Sequence, residues 1–174
     1  ALLACNGYKV IGVDTNPNLV SNINKGAVHI VEPDLDLYVK KAVESKSLKV
    51  FSTPQISDIY IICVPTPFYK NEKLPTPNLD FINDAIKSIS CLVKSGDIII
   101  LESTSPVGTT DHIGSILKKD GVDIDNISIA YCPERVLPGK IISELISNDR
   151  IVGGVNESST QKAPEFYKTF VEGD

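Results

Sequence analysis

The sequence predicts an α/β fold with a doubly wound parallel sheet, and two features indicate it. Short apolar runs alternate with segments of helical period, which is the pattern of a parallel sheet covered by helices. Most of the runs are four to six residues long and unbroken, as expected of strands that are buried on both faces. Open sheets of this kind bind ligands beyond the carboxyl ends of their strands, so the loops that follow the strands should carry the function.

The strands and helices can be assigned in chain order. The predicted strands are residues 8–13, 49–52, 59–64, 97–101, 127–131 and 150–153. In residues 79–93 the side chains of Ile82, Ile86 and Ile89 recur at spacings of three and four, which places them on one helix face that should cover the sheet. The other predicted helices are residues 34–45, 109–119 and 158–170. Pro164 either kinks the last helix or marks its start.

Composition excludes several classes of function. The chain has 174 residues and is 42% hydrophobic, which suffices for one domain with a substantial core. A formal charge of −5 provides no basic field for a nucleic-acid backbone, so nucleic acid is not an expected partner. No run approaches the roughly 18 apolar residues of a membrane helix, and no signal segment opens the chain.

The cysteines do not have the spacing of a metal site. Cys5, Cys63, Cys91 and Cys132 are far apart in the chain and only two histidines could assist them, so we expect no bound metal. Cys63 and Cys91 lie in apolar surroundings, where free cysteines are usually small buried hydrophobes. Free thiols fit a reducing cytoplasm.

The start of the chain suggests that it is not a whole protein. The sequence contains no methionine, and residues 1–7 resemble the last turns of a helix without its beginning. We therefore expect sequence upstream of Ala1, and a sheet that is truncated at the N-terminus.

Asp14 ends the first apolar run and is the first candidate binding residue. In dinucleotide-binding domains a carboxylate at this position accepts hydrogen bonds from ribose hydroxyls, although Asp14 could equally cap the helix that begins near Pro17. The phosphate-binding glycine turn should lie about 20 residues earlier, upstream of Ala1. Residues 15–21 contain no Lys or Arg for a 2′-phosphate, which favours NAD over NADP.

Polar residues also follow the other strands. Thr66 could meet a cofactor ribose or pyrophosphate, while its flanking prolines could equally form only a rigid turn in the predicted loop 65–77. The hydroxyl-rich segment 101–108 lies at a strand tip, where it could meet a ligand or could only cap the next helix. Glu134 could act as a general base or position a water, or could form a surface ion pair with Arg135.

These segments together resemble the NAD-binding Rossmann domain of the UDP-glucose/GDP-mannose dehydrogenase family, the UDP-sugar 6-dehydrogenases. Each segment alone is a weak signal, but six in family order cover nearly the whole chain. They are residues 10–16, 26–35, 64–68, 101–108, 131–139 and 148–154.

The resemblance implies a role for each candidate residue. It implies that Glu134 positions the water that hydrolyses a thioester intermediate, and that Thr104 lies near the reacting sugar carbon. The residues implied to contact NAD are Asp14, Thr66, Ser103 and Thr104, and those implied to contact the UDP-sugar are Arg135 and Val136.

The resemblance also implies the reaction and the rest of the enzyme. The family oxidises the sugar C6 alcohol to a carboxylate with two NAD per substrate, through a cysteine-bound intermediate. No cysteine here matches the nucleophile motif, so the 174 residues alone should be an incomplete, inactive NAD-binding domain. The central helix, the C-terminal UDP-sugar domain and the contacts of a homodimer are expected downstream.

One departure bears on the substrate. UDP-glucose dehydrogenases carry a second acid four residues after the position of Glu134, where this chain has Pro138. This form resembles the branch that acts on N-acetylated UDP-hexosamines, and within it residues 105–108 together with Val136 and Leu137 favour UDP-N-acetyl-D-mannosamine. The alternatives are UDP-N-acetylglucosamine, UDP-glucose, and a nucleotide-binding module without catalysis.

Overall fold

The computed structural model describes residues 1–69 and 75–173, and the chain divides into two compact units. The first unit comprises Ala1–Gln55, Arg135–Asp149 and Tyr167–Asp174, and the second comprises Ile56–Glu134 and Arg150–Phe166. In chain order the elements are α1 (Leu2–Cys5), β1 (Val10–Val13), α2 (Pro17–Asn24), α3 (Leu35–Glu44), β2 (Leu48–Phe51), β3 (Ile59–Ile62), α4 (Asp80–Ser90), β4 (Ile98–Leu101), α5 (Thr109–Lys119), β5 (Ser128–Tyr131), α6 (Ile141–Ser147), β6 (Gly153–Gly154) and α7 (Glu157–Tyr167).

The first unit contains a two-stranded parallel sheet. β1 pairs with β2 in a register that runs from Val10 opposite Leu48 to Val13 opposite Phe51. Side chains of α1, α3 and β2 form the small core of this unit, namely Ala4, Ala42, Leu48 and Val50. On β1, Ile11 and Val13 are exposed. The expectation of a strand buried on both faces, which the unbroken apolar runs suggested, is therefore wrong for β1, whose residues alternate between half-buried and exposed.

The second unit contains a four-stranded sheet in the order β3-β4-β5-β6. β3, β4 and β5 are parallel, whereas β6 runs antiparallel to β5. The predicted parallel sheet is thus confirmed for the first three strands and wrong for the last. Pairing direction depends on how the chain returns to the sheet, which the two glycines of β6 do not encode.

Two helices cover this second sheet as their apolar period predicts. Ile82, Ile86 and Ile89 of α4 are buried, and they pack with Ile113 and Leu117 of α5. The rest of this core comes from the strands and from Ile127, which directly precedes β5, and the strand residues are Tyr60, Ile62, Ile99, Leu101 and Ile129. The central strand β4 is buried along most of its length, as an unbroken Ile-Ile-Ile-Leu run predicts.

Three further details bear on the sequence predictions, and the exposure of two cysteines contradicts them. α7 begins at Glu157 and contains Pro164, so the proline does not mark its start. Cys63 and Cys91 are exposed, because Cys63 follows the end of β3 and Cys91 ends α4. Loop 65–77 closes through a bridge between Phe68 and Pro77, while residues 70–74 lie outside the described residues.

In the described part of the chain, no helix combines the length and the apolar character that crossing a membrane requires.

Candidate functional site

The strand ends of the second unit bring three chemically useful side chains into a row. Ile62, Leu101 and Tyr131 are register partners at the carboxyl ends of β3, β4 and β5. The residues that follow them are Cys63, Glu102 and Cys132, and these also lie side by side, with Glu102 in the middle. Main-chain bonds extend the register by one step, since the Glu102 amide donates to the Ile62 carbonyl at 3.0 Å and the Cys132 amide to the Leu101 carbonyl at 3.0 Å.

The Cys63 thiol donates a hydrogen bond to Glu102. The Sγ lies 3.2 Å from Oε2 of the carboxylate. Protein atoms desolvate the thiol even though the residue as a whole is exposed, and this desolvation, followed by the charge of Glu102, raises the pKa of Cys63. A thiol that resists ionisation is a poor nucleophile, so the site disfavours nucleophilic chemistry at Cys63.

Glu134 is held by an arginine. The Arg150 Nη1 donates to Oε2 of Glu134 at 2.9 Å, and the side chains are 7% and 29% exposed respectively. Burial alone would lower the pKa of Arg150, but the hydrogen bond and negative charge of Glu134 outweigh burial and raise it. The result is a charged, oriented carboxylate two residues beyond the strand-end row.

The alternative of an ion pair between Glu134 and Arg135 stays a prediction. Arg135 donates from Nη2 to the main-chain carbonyl of Asp149 at 3.1 Å, within the first unit. Sequence reasoning missed Arg150 because it lies 16 residues from its partner. The sequence did contain one indication of its importance, since Arg150 lies in the family-like segment 148–154.

The hydroxyl residues after β3 and β4 fall into different environments. Ser103 is buried, and its hydroxyl lies 2.8 Å from the Val64 carbonyl and 3.2 Å from the Ile62 carbonyl, so it ties β4 to the loop after β3. Thr104 is exposed and Thr66 is half-buried. The alternative that the hydroxyls of residues 101–108 cap α5 is wrong, because the N-cap is Gly108 and no side chain caps the helix.

Asp14 lies at the end of β1 in the first unit. Its Oδ1 accepts a hydrogen bond from the Asn16 amide at 2.8 Å. The alternative that Asp14 caps α2 is wrong, since Asn16 is the N-cap and its side chain accepts from the amides of Asn18 and Leu19. A carboxylate has about four acceptor positions, so Asp14 retains the capacity to accept ribose hydroxyls.

The fit to a dinucleotide can be tested on these residues. Asp14 offers the acceptor that ribose hydroxyls need, and residues 15–21 provide no cation for a 2′-phosphate. These residues therefore fit NAD, since the carboxylate of Asp14 can accept the ribose hydroxyls and residues 15–21 hold no cation for a 2′-phosphate. Within residues 1–69 and 75–173, no group of three or more His, Cys, Asp and Glu side chains could hold a metal ion.

The segment that carries Arg135 and Val136 is anchored inside the first unit. The Leu137 amide donates to Oε2 of Glu144 at 2.8 Å. The amides of Gly139 and Ile141 both donate to the carboxylate of Glu32, which is buried. Sequence reasoning gave Glu32 no role, although it lies in the family-like segment 26–35.

Comparison with known proteins gives a consistent result. Residues 1–171 match the model of the UDP-glucose/GDP-mannose dehydrogenase family, NAD binding domain. The chain is 46% identical to a UDP-N-acetyl-D-mannosamine dehydrogenase of Yersinia pestis, an alignment that covers 100% of the chain and 43% of the relative. It is 41% identical to an NDP-N-acetyl-D-galactosaminuronic acid dehydrogenase of Ralstonia nicotianae, which covers 99% of the chain and 42% of the relative.

Solved structures also resemble the chain. The native UDP-N-acetyl-mannosamine dehydrogenase of Staphylococcus aureus superposes with a TM-score of 0.93 at 36% identity, over 99% of the chain and 42% of that structure. A UDP-glucose dehydrogenase of Pyrobaculum islandicum gives a TM-score of 0.83 at 23% identity and supports the fold alone. The predicted Rossmann fold is confirmed, and the chain spans less than half the length of these relatives.

Proposed function

The chain belongs to the UDP-glucose/GDP-mannose dehydrogenase family, and from this premise we propose that it is the NAD-binding part of an enzyme that oxidises a UDP-N-acetylhexosamine at C6. The substrate favoured is UDP-N-acetyl-D-mannosamine. The observation that carries the proposal is the pairing of Glu134 with Arg150, because it supplies an oriented carboxylate beyond the strand ends in a chain of this family.

The proposed reaction determines which reactants the enzyme must bind. Oxidising a primary alcohol to a carboxylate removes four electrons, so the alcohol, one water and two NAD⁺ give the carboxylate, two NADH and three protons. When bound, NAD supplies the hydride acceptor for both oxidations. The chain must therefore bind the dinucleotide, hold the sugar and admit one water at a defined position.

Glu134 is proposed to position that water. Its side chain is 29% exposed to solvent, and Arg150 holds the Oε2 atom. A carboxylate held in one orientation accepts a hydrogen bond from a water molecule and thereby directs the lone pair of that water toward the reacting carbon. This is the usual role of a general base or of a carboxylate that positions a water. Thr104, exposed after β4, is proposed to lie near the reacting carbon.

Cofactor binding is proposed for four residues. Asp14 accepts the ribose hydroxyls, and its half-buried position at the end of β1 supports this role. Thr66 and Thr104 offer hydroxyls to the dinucleotide. Ser103 contributes chiefly by holding the β3 and β4 loops together, since its hydroxyl already donates to main-chain carbonyls. Arg135 and Val136 contact the UDP-sugar.

The choice of sugar rests on two supports. The segment after Glu134 carries Pro138 where UDP-glucose dehydrogenases have a second acid. Relatives at 46% identity from Yersinia pestis and Campylobacter jejuni are UDP-N-acetyl-D-mannosamine dehydrogenases. The name of the Ralstonia relative also refers to an N-acetylated sugar, N-acetyl-D-galactosaminuronic acid. The corresponding UDP-N-acetylgalactosamine is therefore the second candidate substrate.

We also propose that the 174 residues are an incomplete domain without turnover of its own. The thiols present support this, because Cys63 resists ionisation and Cys132 is buried. The nucleophilic cysteine, the UDP-sugar domain and a homodimer contact would belong to the complete protein, which we place in the cytoplasm.

The test is a substrate comparison with the complete protein. NADH formation is followed by absorbance with UDP-N-acetyl-D-mannosamine, UDP-N-acetylglucosamine, UDP-N-acetylgalactosamine and UDP-glucose. The highest kcat/KM should belong to UDP-N-acetyl-D-mannosamine. A preference for another UDP-sugar would overturn the substrate and leave the reaction class intact, whereas no NADH with any of them would favour a nucleotide-binding module without catalysis.

A further inference from the structure

A buried carboxylate holds a segment that lies more than 100 residues away in the chain. Glu32 is 9% exposed, and its two oxygens accept separate main-chain hydrogen bonds. Oε2 lies 2.8 Å from the Gly139 amide and Oε1 lies 2.6 Å from the Ile141 amide. Both oxygens of the carboxylate are thus engaged by one short stretch of main chain within the first unit.

The bonds to Glu32 are of the strong type. Hydrogen bonds to an ionised acceptor are shorter and roughly twice as strong as those between neutral groups. Burying a carboxylate costs free energy unless it is hydrogen-bonded. The two main-chain amides offset this cost for Glu32, and in return Glu32 replaces the water that would otherwise bind those amides. Gly139 has a φ of 87°, a conformation that its lack of a Cβ permits and that points its amide at Glu32.

Two further anchors act on the same stretch. The Leu137 amide donates to Glu144, and Arg135 is tied to the Asp149 carbonyl. We call residues 135–141 the anchored segment. Three of its amides, those of Leu137, Gly139 and Ile141, and the side chain of Arg135 are hydrogen-bonded to groups of this unit, so much of its conformation is set before any ligand arrives.

We propose that Glu32 is a positioning residue that presets the anchored segment for binding the UDP-sugar. The inference rests on the proposed function, in which Arg135 and Val136 contact that substrate. A loop that is already ordered loses less conformational freedom on binding, so part of the cost of association is removed. Glu32 itself does not touch the substrate in this proposal, and it acts through the main chain of Gly139 and Ile141.

The test compares Glu32→Gln with the wild type in the complete protein. The glutamine keeps the size of the side chain but replaces one acceptor oxygen by an NH₂ group that faces an amide donor, so one of the two bonds is lost. We expect the KM for the UDP-sugar to rise about tenfold, the value of one hydrogen bond to a charged group, with the KM for NAD changed less than twofold.

Two variants accompany it. Glu44→Gln removes an exposed carboxylate from α3 in the same unit and serves as the matched control, with both KM values unchanged. Glu144→Gln loosens a different anchor of the same segment and should raise the KM for the UDP-sugar in the same direction.

Hydrogen exchange separates positioning from a general structural role. In Glu32→Gln the amides of residues 137–141 should exchange faster, while the amides of β4 and β5 keep the wild-type rate. An equal rise in both KM values, or faster exchange throughout, would assign Glu32 to overall stability and overturn the proposal. An unchanged KM for the sugar in an active, folded variant would also overturn it. Absence of turnover in the wild type would instead refute the proposed function, and the exchange measurement would still decide whether Glu32 orders the segment.

Discussion

The Nη1 of Arg150 lies 2.9 Å from the Oε2 of Glu134, and the arginine side chain is almost completely buried. Arg150 comes from the stretch that leads into β6, while Glu134 follows β5, so the antiparallel return of the chain brings the two together. A buried guanidinium is costly without an acceptor, and the carboxylate of Glu134 accepts a hydrogen bond from it. The pair therefore connects the fold of the second unit to the proposed chemistry.

Removing the arginine should damage both stability and activity. Arg150→Ala leaves the Glu134 carboxylate without its counter-charge, and we expect a loss of about 3 kcal/mol in the free energy of unfolding. Arg150→Lys restores a charge but not the planar fork, so it should recover most of the stability and only part of kcat. Urea denaturation and steady-state kinetics check this. Equal kcat for Arg150→Lys and the wild type would show that orientation of Glu134 does not matter.

The glycines of β6 provide a matched pair of stability variants. A Cβ on Gly154 would meet the main-chain nitrogen of Thr160 and lie 2.6 Å from the Ser159 carbonyl carbon, whereas a Cβ on Gly153 would meet nothing within 4 Å. Gly154→Ala should therefore cost about 3 kcal/mol, since main-chain atoms must move. Gly153→Ala should stay within about 0.5 kcal/mol of the wild type. Similar melting temperatures for the two variants would contradict the close approach of β6 to the start of α7.

Asp14 should control the affinity for NAD. Asp14→Ala removes the proposed acceptor of the ribose hydroxyls, so the KM for NAD should rise at least about tenfold with a smaller change in the KM for the UDP-sugar. Asn16→Ala is the control, because it removes the cap of α2 and costs about 1 kcal/mol of stability without removing the acceptor. An unchanged KM for NAD in Asp14→Ala would withdraw the ribose assignment.

The thiol of Cys63 should react slowly. Cys63 and Cys91 are both exposed, but desolvation and the Glu102 carboxylate raise the pKa of Cys63. At pH 8 iodoacetamide should label Cys91 at least about tenfold faster than Cys63, since each unit of pKa changes the thiolate fraction tenfold. Glu102→Gln should speed the labelling of Cys63, and peptide mass spectrometry measures both rates. Faster labelling of Cys63 than of Cys91 in the wild type would contradict the environment described.

The same thiol gives a pH dependence of stability. The pKa of Cys63 is raised above its usual value of 9.0, so the unfolded chain loses this proton first as the pH rises. The contribution of Cys63 to stability is thus intact below about pH 9 and falls above it. Cys63→Ala should flatten the decline of the unfolding free energy between pH 9 and 10.5, measured by urea denaturation.

Sequence patterns predicted the elements whose pattern is local. The Ile-Ile-Ile-Leu run of β4 and the spacing of Ile82, Ile86 and Ile89 depend on neighbours in the chain, and both predictions were confirmed. The direction of β6 and the partner of Glu134 could not be read in this way. They depend on contacts between residues 16 or more positions apart, which no period in one sequence encodes.

The exposure and the hydrogen bonds of side chains at the strand ends could not be predicted from the sequence either. Cys63 was expected to be buried because its run is apolar, but the strand ends one residue before it. The hydrogen bonds of the Ser103 hydroxyl to the carbonyls of Ile62 and Val64 could not be predicted from the sequence, whereas its contact with the cofactor stays a prediction. Both features follow from where strands stop, and element ends are the least reliable part of a sequence prediction.

The central claim is a four-electron oxidation of UDP-N-acetyl-D-mannosamine, and counting NADH tests it most directly. The complete protein is incubated with excess NAD and a limiting amount of this UDP-sugar, and NADH is measured at completion together with the sugar product. Two NADH per UDP-sugar consumed, with a uronate as product, is the predicted result. One NADH per sugar with an aldehyde or ketone product, or no NADH at all, would contradict the claim.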